Sequence, residues 1–155
     1  MDWMFIAFLA VSLLHMGEEY IYPGGFIDFM KRLNPRFAPL VTVRFAVITN
    51  GLQLLLCIVA LAVGRNNLVF SLSVASLIFI NALVHIVRSI RVKRYTPGVI
   101  TGVALYLPLS VCAYYLFWAS GQLTLFEGIA SGLLGILYQA VPISYLALSS
   151  VVRRA

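Results

Sequence analysis

The sequence predicts an all-α polytopic membrane protein: a bundle of five transmembrane helices with a short interfacial helix in the first cytoplasmic loop. Three observations predict it. Of the 155 residues, 62% are hydrophobic and only 10% are charged, whereas about a quarter are charged in soluble domains. The apolar residues fall into five runs, 3–22, 40–63, 67–87, 98–119 and 126–151, each near the roughly 20 residues that cross a bilayer. Turn-forming and basic residues collect between those runs. Because the runs take up nearly the whole chain, residues 1–155 read as one integral membrane domain, and any chemistry has to be built between helices.

The first run follows Met1-Asp2, acidic where a signal peptide is basic, so it is expected to be retained as a span. Pro23-Gly24-Gly25 ends it. In the loop beyond, Phe26, Phe29, Met30 and Leu33 recur at helical spacing with Asp28, Lys31 and Arg32 off that stripe. This is the pattern of a helix lying in the membrane interface, a loop tucked against the bundle being the alternative; Asn34-Pro35 stops it. Gly64-Arg65-Asn66-Asn67 makes a tight turn between the second and third runs. In Tyr95-Thr96-Pro97-Gly98, Thr96 is placed to cap the fourth helix and Pro97 to occupy its first turn. A helix start beside Lys93 and Arg94 favours an anion such as a head group, with a plain capped turn as the alternative. Pro108 and Pro142 remove hydrogen bonds to the carbonyls of Ala104 and Tyr138 and so predict kinks.

Thr124-Leu125-Phe126-Glu127 has the spacing of a capping box opening the fifth helix, which makes Glu127 structural. Gly128, Ser131, Gly132 and Gly135 let another helix approach closely, a packing surface first and the face through which a homo-oligomer would form. Cys57 and Cys112 fall inside spans and read as packing residues.

The net charge of +6 is distributed as a topological signal, so no nucleic-acid partner is expected. Lys31, Arg32, Arg36, Arg88, Arg91, Lys93, Arg94, Arg153 and Arg154 fall on one side of the five-span arrangement and Arg65 on the other. By the positive-inside rule the N-terminus is outside and the C-terminus cytoplasmic. Trp3 and Trp118 then lie at the outer interface, where tryptophan is favoured. The expected location is a bacterial inner membrane.

With that orientation the polar residues acquire a depth. His15, Glu18 and Glu19 near the end of the first span come level with His85 near the end of the third. Arg44, Thr49, Asn50 and Gln53 fall in the inner half of the second, and Tyr138 and Gln139 belong to the fifth. Ionisable groups inside a bilayer are costly, roughly 3 kcal/mol each on insertion scales, and mark functional sites by default. On a helix Glu18 and Glu19 lie three and four residues after His15, flanking the imidazole. Asn81, His85 and Arg88 share a face at spacings of four and three. Helices enclosing a polar cavity open to the cytoplasm or inner leaflet would segregate polar groups in this one-sided way. A structural ion-pair network of the glutamates with Arg44 and Arg88 is the alternative.

These residues resemble a known family. His15-Met16-Gly17-Glu18-Glu19, the later His85 and Tyr95-Thr96-Pro97-Gly98 match, in order, the H-x-x-E-E, downstream histidine and Y-x-P-G of the HXXEE-domain family of small integral membrane proteins. The resemblance covers most of the chain and implies an active site at His15, Glu18, Glu19, His85 and the Tyr95 turn without naming a substrate.

The expected function is therefore a membrane-embedded metalloenzyme, a hydrolase in preference to an oxidoreductase, acting on a lipophilic or amphiphilic molecule from the cytoplasmic leaflet. Two imidazoles with carboxylates suit a divalent metal, zinc ahead of iron. His15, His85 and Glu19 are the expected ligands, because a spacing of four stacks His15 and Glu19 on one helix face. Glu18 is then the general base, or the partner of an arginine, and Arg44 or Arg88 an electrostatic stabiliser. Asn50, Asn81, Tyr95, Thr96 and Gln139 are the expected substrate contacts. Three alternatives stay open. One is a metal-free acid–base lipid isomerase, similar in arrangement to the emopamil-binding type of sterol isomerase. Another is a haem protein with His15 and His85 as axial ligands. The last is a small transporter, although five spans without an internal repeat fit that architecture poorly.

Overall fold

The computed structural model describes residues 1–21 and 25–152, and every regular element among them is helical. The expectations for Pro23, Gly24, Arg153 and Arg154 lie outside the described residues. In chain order the helices are α1 (Trp3–Ile21), α2 (Gly25–Leu33), α3 (Val43–Val63), α4 (Leu68–Val92), α5 (Val99–Thr101), α6 (Leu107–Ala119) and α7 (Leu125–Val152). A 3-10 turn, Gly64–Asn67, joins α3 to α4, and a π-helical turn, Gly102–Tyr106, joins α5 to α6. Four stretches are long and apolar enough to cross a membrane: Trp3–Ile21, Val43–Val92, Val99–Ala119 and Leu125–Ser150. The protein is integral to a membrane.

Local chemistry sets the helix ends. Thr42 accepts the Phe45 amide at 3.2 Å and Asn67 the Phe70 amide at 3.1 Å, capping α3 and α4. The second apolar run is shorter at its start than predicted, because Thr42 caps there. The third is longer: α4 runs five residues past 87 to Val92, where Lys93 takes a left-handed conformation at φ 51°. At the 3-10 turn the chain reverses. Ser71 of α4 donates to the carbonyls of Gly64 at 2.7 Å and Ala60 at 3.3 Å, so α3 and α4 fold back on each other. The capping box forms as predicted: Glu127 Oε2 accepts the Thr124 amide at 2.9 Å and its hydroxyl at 2.7 Å, and Thr124 Oγ1 accepts the Glu127 amide at 3.3 Å. The feature at Pro108 takes the form of the π turn. A proline ring crowds the carbonyl four residues back, and Ala104 lies inside the widened segment.

The main core joins α1, α3, α4 and α6 through Met4, Phe5, Phe8, Cys57, Leu72, Ile78, Tyr106 and Phe117. Cys57 and Cys112 are free thiols, Cys57 fully buried beside Ser12. Ile6, Leu13, Val47, Ile58, Ile136 and Leu148 are exposed on the outer faces, as expected where the surrounding solvent is lipid. Along its small-residue stripe α7 packs on α4. Ser76 donates to the Gly132 carbonyl at 3.1 Å, and a Cβ on Gly135 would lie 2.6 Å from Ser76 Oγ. The close approach is at Gly135; a Cβ on Gly132 would meet nothing within 4 Å, so α4 covers only part of the stripe. α2 forms where the apolar stripe predicts it, with Phe29 buried against the bundle.

Candidate metal centre

The last two turns of α1 carry His15, Glu18 and Glu19, and the facing stretch of α4 carries Asn81, His85 and Arg88. Glu19 stands between the two imidazoles. Its Oε1 lies 3.3 Å from His85 Nε2 and 3.8 Å from His15 Nε2. All three residues are buried, at 2%, 5% and 2% exposure for His15, Glu19 and His85. Each offers one ligand atom, and these atoms lie within 4.8 Å of one another, so the group can hold a metal ion. The rings meet edge to face with centroids 4.9 Å apart.

Glu18 does something the sequence did not suggest. Its Oε1 accepts the Tyr95 hydroxyl at 2.7 Å and the amides of Gly98 and Ile100 at 3.1 Å each, while Oε2 accepts the amide of Thr101 at 2.7 Å and its hydroxyl at 2.5 Å. A carboxylate is thus seated on the free amides that open α5, where unpaired N–H groups and the helix dipole both favour negative charge. An anion was expected at this helix start, and the chain supplies it itself. H-x-x-E-E and Y-x-P-G, some 80 residues apart in sequence, are the acceptor and donor halves of one hydrogen-bond cluster. Both Glu18 oxygens are engaged, so neither the general-base role nor an arginine partnership has its geometry here.

Thr101 links that cluster to the histidines. Its single hydroxyl proton goes to Glu18, so its oxygen, 2.8 Å from His15 Nδ1, accepts the Nδ1 proton. His15 is thereby held as the tautomer whose Nε2 lone pair faces Glu19, as outer-shell partners of metal-binding histidines do. His15 Nε2, Asn81 Oδ1 and His85 Nδ1 make no well-formed hydrogen bond among the described residues, although the Asn81 side chain approaches His15 and the Pro97 carbonyl approaches His85. Buried polar atoms are normally satisfied, so loosely partnered atoms in this cluster leave ring nitrogens available to a ligand. Tyr106 stacks on the His15 ring with centroids 4.4 Å apart, and its hydroxyl accepts from Gln53 at 2.7 Å. Gly98, at φ +88°, brings its backbone against both rings. A Cβ there would fall 2.8 Å from His15 Cε1 and 2.7 Å from His85 Cε1.

A cavity of about 750 Å³ opens beside the cluster, and His15, Glu19, Arg44, Asn50, Asn81, His85, Arg88 and Gln139 all line it. Thr49, Gln53 and Tyr138 line it too. Asn50 donates to the Tyr20 hydroxyl at 3.0 Å. The Arg88 guanidinium lies 5.6 Å over the Phe26 ring and is the cation whose field acts on Glu19. Among the described residues neither Arg44 nor Arg88 makes an ion pair with Glu18 or Glu19, so the arginine network is not formed. Tyr95 and Thr96, expected as substrate contacts, do not line the cavity. Tyr95 holds Glu18, and Thr96 is fully buried, bonded to Ser89 at 3.0 Å rather than capping α5.

Sequence reasoning missed Thr101 and Tyr106. Thr101 had a weak signal, a hydroxyl residue in the first turn of a predicted helix. Tyr106, one of eight tyrosines, had none.

A family model described as "Protein of unknown function with HXXEE motif" matches residues 5–113. No curated protein and no solved structure matches the chain. The matched stretch takes in both halves of the hydrogen-bond cluster and both imidazoles, and on that match the chain belongs to the HXXEE family.

Proposed function

We propose that this protein is a membrane-embedded metalloenzyme, a hydrolase in preference to an oxidoreductase, acting on a lipophilic or amphiphilic substrate that enters from the cytoplasmic leaflet. The observation that carries it is the buried His15, Glu19 and His85 group on the wall of a cavity of about 750 Å³. The donor set fits a divalent metal: two imidazoles and a carboxylate suit zinc, our first choice, or non-haem iron, and His15 is already in the ligating tautomer. Bound there, such a metal would supply Lewis-acid activation of water or of a carbonyl or phosphoryl oxygen. Glu18 and Thr101 orient His15, and Tyr106 fixes its ring plane. Arg88 and Asn81 stand where developing negative charge needs support, which favours hydrolysis.

A second reading rests on the 3.3 Å contact of Glu19 with His85. A carboxylate between two imidazoles can pass a proton, as a metal-free lipid isomerase requires. Elemental analysis of the detergent-purified protein separates the two readings. About one zinc or iron per chain is expected; none, with activity lost in Glu19→Gln once a substrate is found, would replace the metal reading with the acid–base one. The haem alternative is not carried forward, because rings 4.9 Å apart and edge to face leave no slot for a porphyrin between them.

Counting α3 and α4 as separate crossings gives five spans, N-terminus outside and C-terminus cytoplasmic, in a bacterial inner membrane. The Arg65–Asp2 ion pair at 2.7 Å puts the α3–α4 turn at the same end as the N-terminus. α2, with Lys31 and Arg32 in its last turn, is the cytoplasmic interfacial helix. Reporter fusions at Arg65 and at the C-terminus are expected to read opposite sides; both on one side would overturn this topology.

A further inference from the structure

The cavity has one wall that does not close. α7 packs on α4, and α3 packs on α1 and α4, but α3 and α7 are not a packed pair. They meet near one end, where the Phe45 and Tyr145 rings stack with centroids 5.9 Å apart and Leu146 joins Leu40 and Val41 in a small separate core. Further along, Ile48, Leu52 and Leu55 of α3 and Val141 of α7 line the cavity and are each about half exposed. Residues that are at once cavity lining and outer surface mark a lateral slot. In a bilayer that slot faces acyl chains.

The rim of the same cavity is positive. Arg44 stands in the first turn of α3 and Arg88 in the penultimate turn of α4, and because these helices fold back on each other both guanidinium groups lie toward the same end. Neither has a carboxylate within 4.0 Å among the described residues. The acidic group lining the cavity, Glu19, lies between the two imidazoles, 3.3 Å from His85 Nε2 and 3.8 Å from His15 Nε2. Two cations with no carboxylate within 4.0 Å, Arg88 acting on Glu19 only at longer range, stand beside an apolar slot and are complementary to an anionic head on an apolar tail.

We propose that the ligand of this cavity is an anionic single-chain amphiphile that enters sideways between α3 and α7, its head held by Arg44 and Arg88 and its chain lying in the slot. This rests on reading the cavity as a substrate site and names the substrate class. A single chain is favoured because about 750 Å³ falls in the range of pockets that enclose one small ligand. Such a head would rest beside the His15, Glu19 and His85 cluster, so the bond acted on lies near the head.

The test is photolabelling of the full chain in phosphatidylcholine vesicles with a diazirine-bearing C16 fatty acid and with the matching fatty alcohol. The acid is expected to label peptides of α3 and α7 on the slot, roughly tenfold more than the alcohol, the size of one charge-assisted contact of about 1.4 kcal/mol. The R44Q/R88Q variant should lose that preference while R44K/R88K keeps most of it, and alcohol labelling should be alike in both. Equal labelling by acid and alcohol in the wild type would overturn the proposal even if the Gln variant fails to fold. So would label spread evenly over the outer faces of all helices, or a preference that survives in R44Q/R88Q. Labelling needs neither metal nor turnover, and metal content measured on the same preparations shows separately whether the catalytic reading fails.

Discussion

Glu19→Gln and His15→Ala are each expected to take the bound metal from about one per chain to under about a tenth of that, because removing an inner ligand should cost more than the 10–100-fold seen for outer-shell partners. Glu19 supplies the oxygen that lies between the two Nε2 atoms, at 3.3 and 3.8 Å. The glutamine keeps the volume of the side chain and removes its charge, so folding should survive where binding does not. Glu127→Gln, at a carboxylate spent on capping Thr124, should leave metal content unchanged and serves as the control. Metal measured by mass spectrometry beside the thermal midpoint decides it. Equal content in wild type, Glu19→Gln and His15→Ala would place the metal elsewhere.

Gly98→Ala should be among the most damaging single changes in the chain. At φ +88° an alanine is strained, and its Cβ would lie 2.7 to 2.9 Å from atoms of both imidazoles, so the rings must part. Overpacking of this kind costs roughly 1–3 kcal/mol, and left-handed strain adds to it. Glu18→Gln acts on the same cluster from the other side. One carboxylate oxygen becomes an amino group facing donors, leaving α5 amides without an acceptor, for about 1–3 kcal/mol and a 10–100-fold fall in metal affinity through the loosened His15. This departs from a base role, in which Glu18→Gln would bind metal normally and only turn over slowly. Thr101→Val should follow Glu18→Gln, and Thr101→Ser should stay near wild type. Imidazole ¹⁵N shifts of His15 report the mechanism: an Nδ1–H tautomer in wild type and in Thr101→Ser, a mixture in Thr101→Val. Unchanged metal affinity and tautomer in Glu18→Gln and Thr101→Val would remove Glu18 and Thr101 from the centre.

By itself the sequence determined the features that depend on neighbours along the chain. Apolar run length located each helix to within a few residues, because crossing a bilayer demands about 20 apolar residues in succession. Thr124 and Glu127 announced their own cap, and the small residues around Gly135 announced a close helix contact, because spacing alone brings those groups to one face. His15 and Glu19 were legible as a pair for the same reason, and His85 joined them through matched depth on a parallel helix. Only the tertiary structure decided what Glu18 does. A turn away from His15 it reads as a second acid–base group, yet its partners are amides some 80 residues on, open because a helix happens to begin there. Thr101 and Tyr106 were illegible for the same reason: a hydroxyl or a ring acquires its role from what another helix places against it. Periodicity fixes which face a residue occupies, whereas donor and acceptor pairing between helices is settled only when the bundle closes and each buried polar atom must find a partner or a ligand.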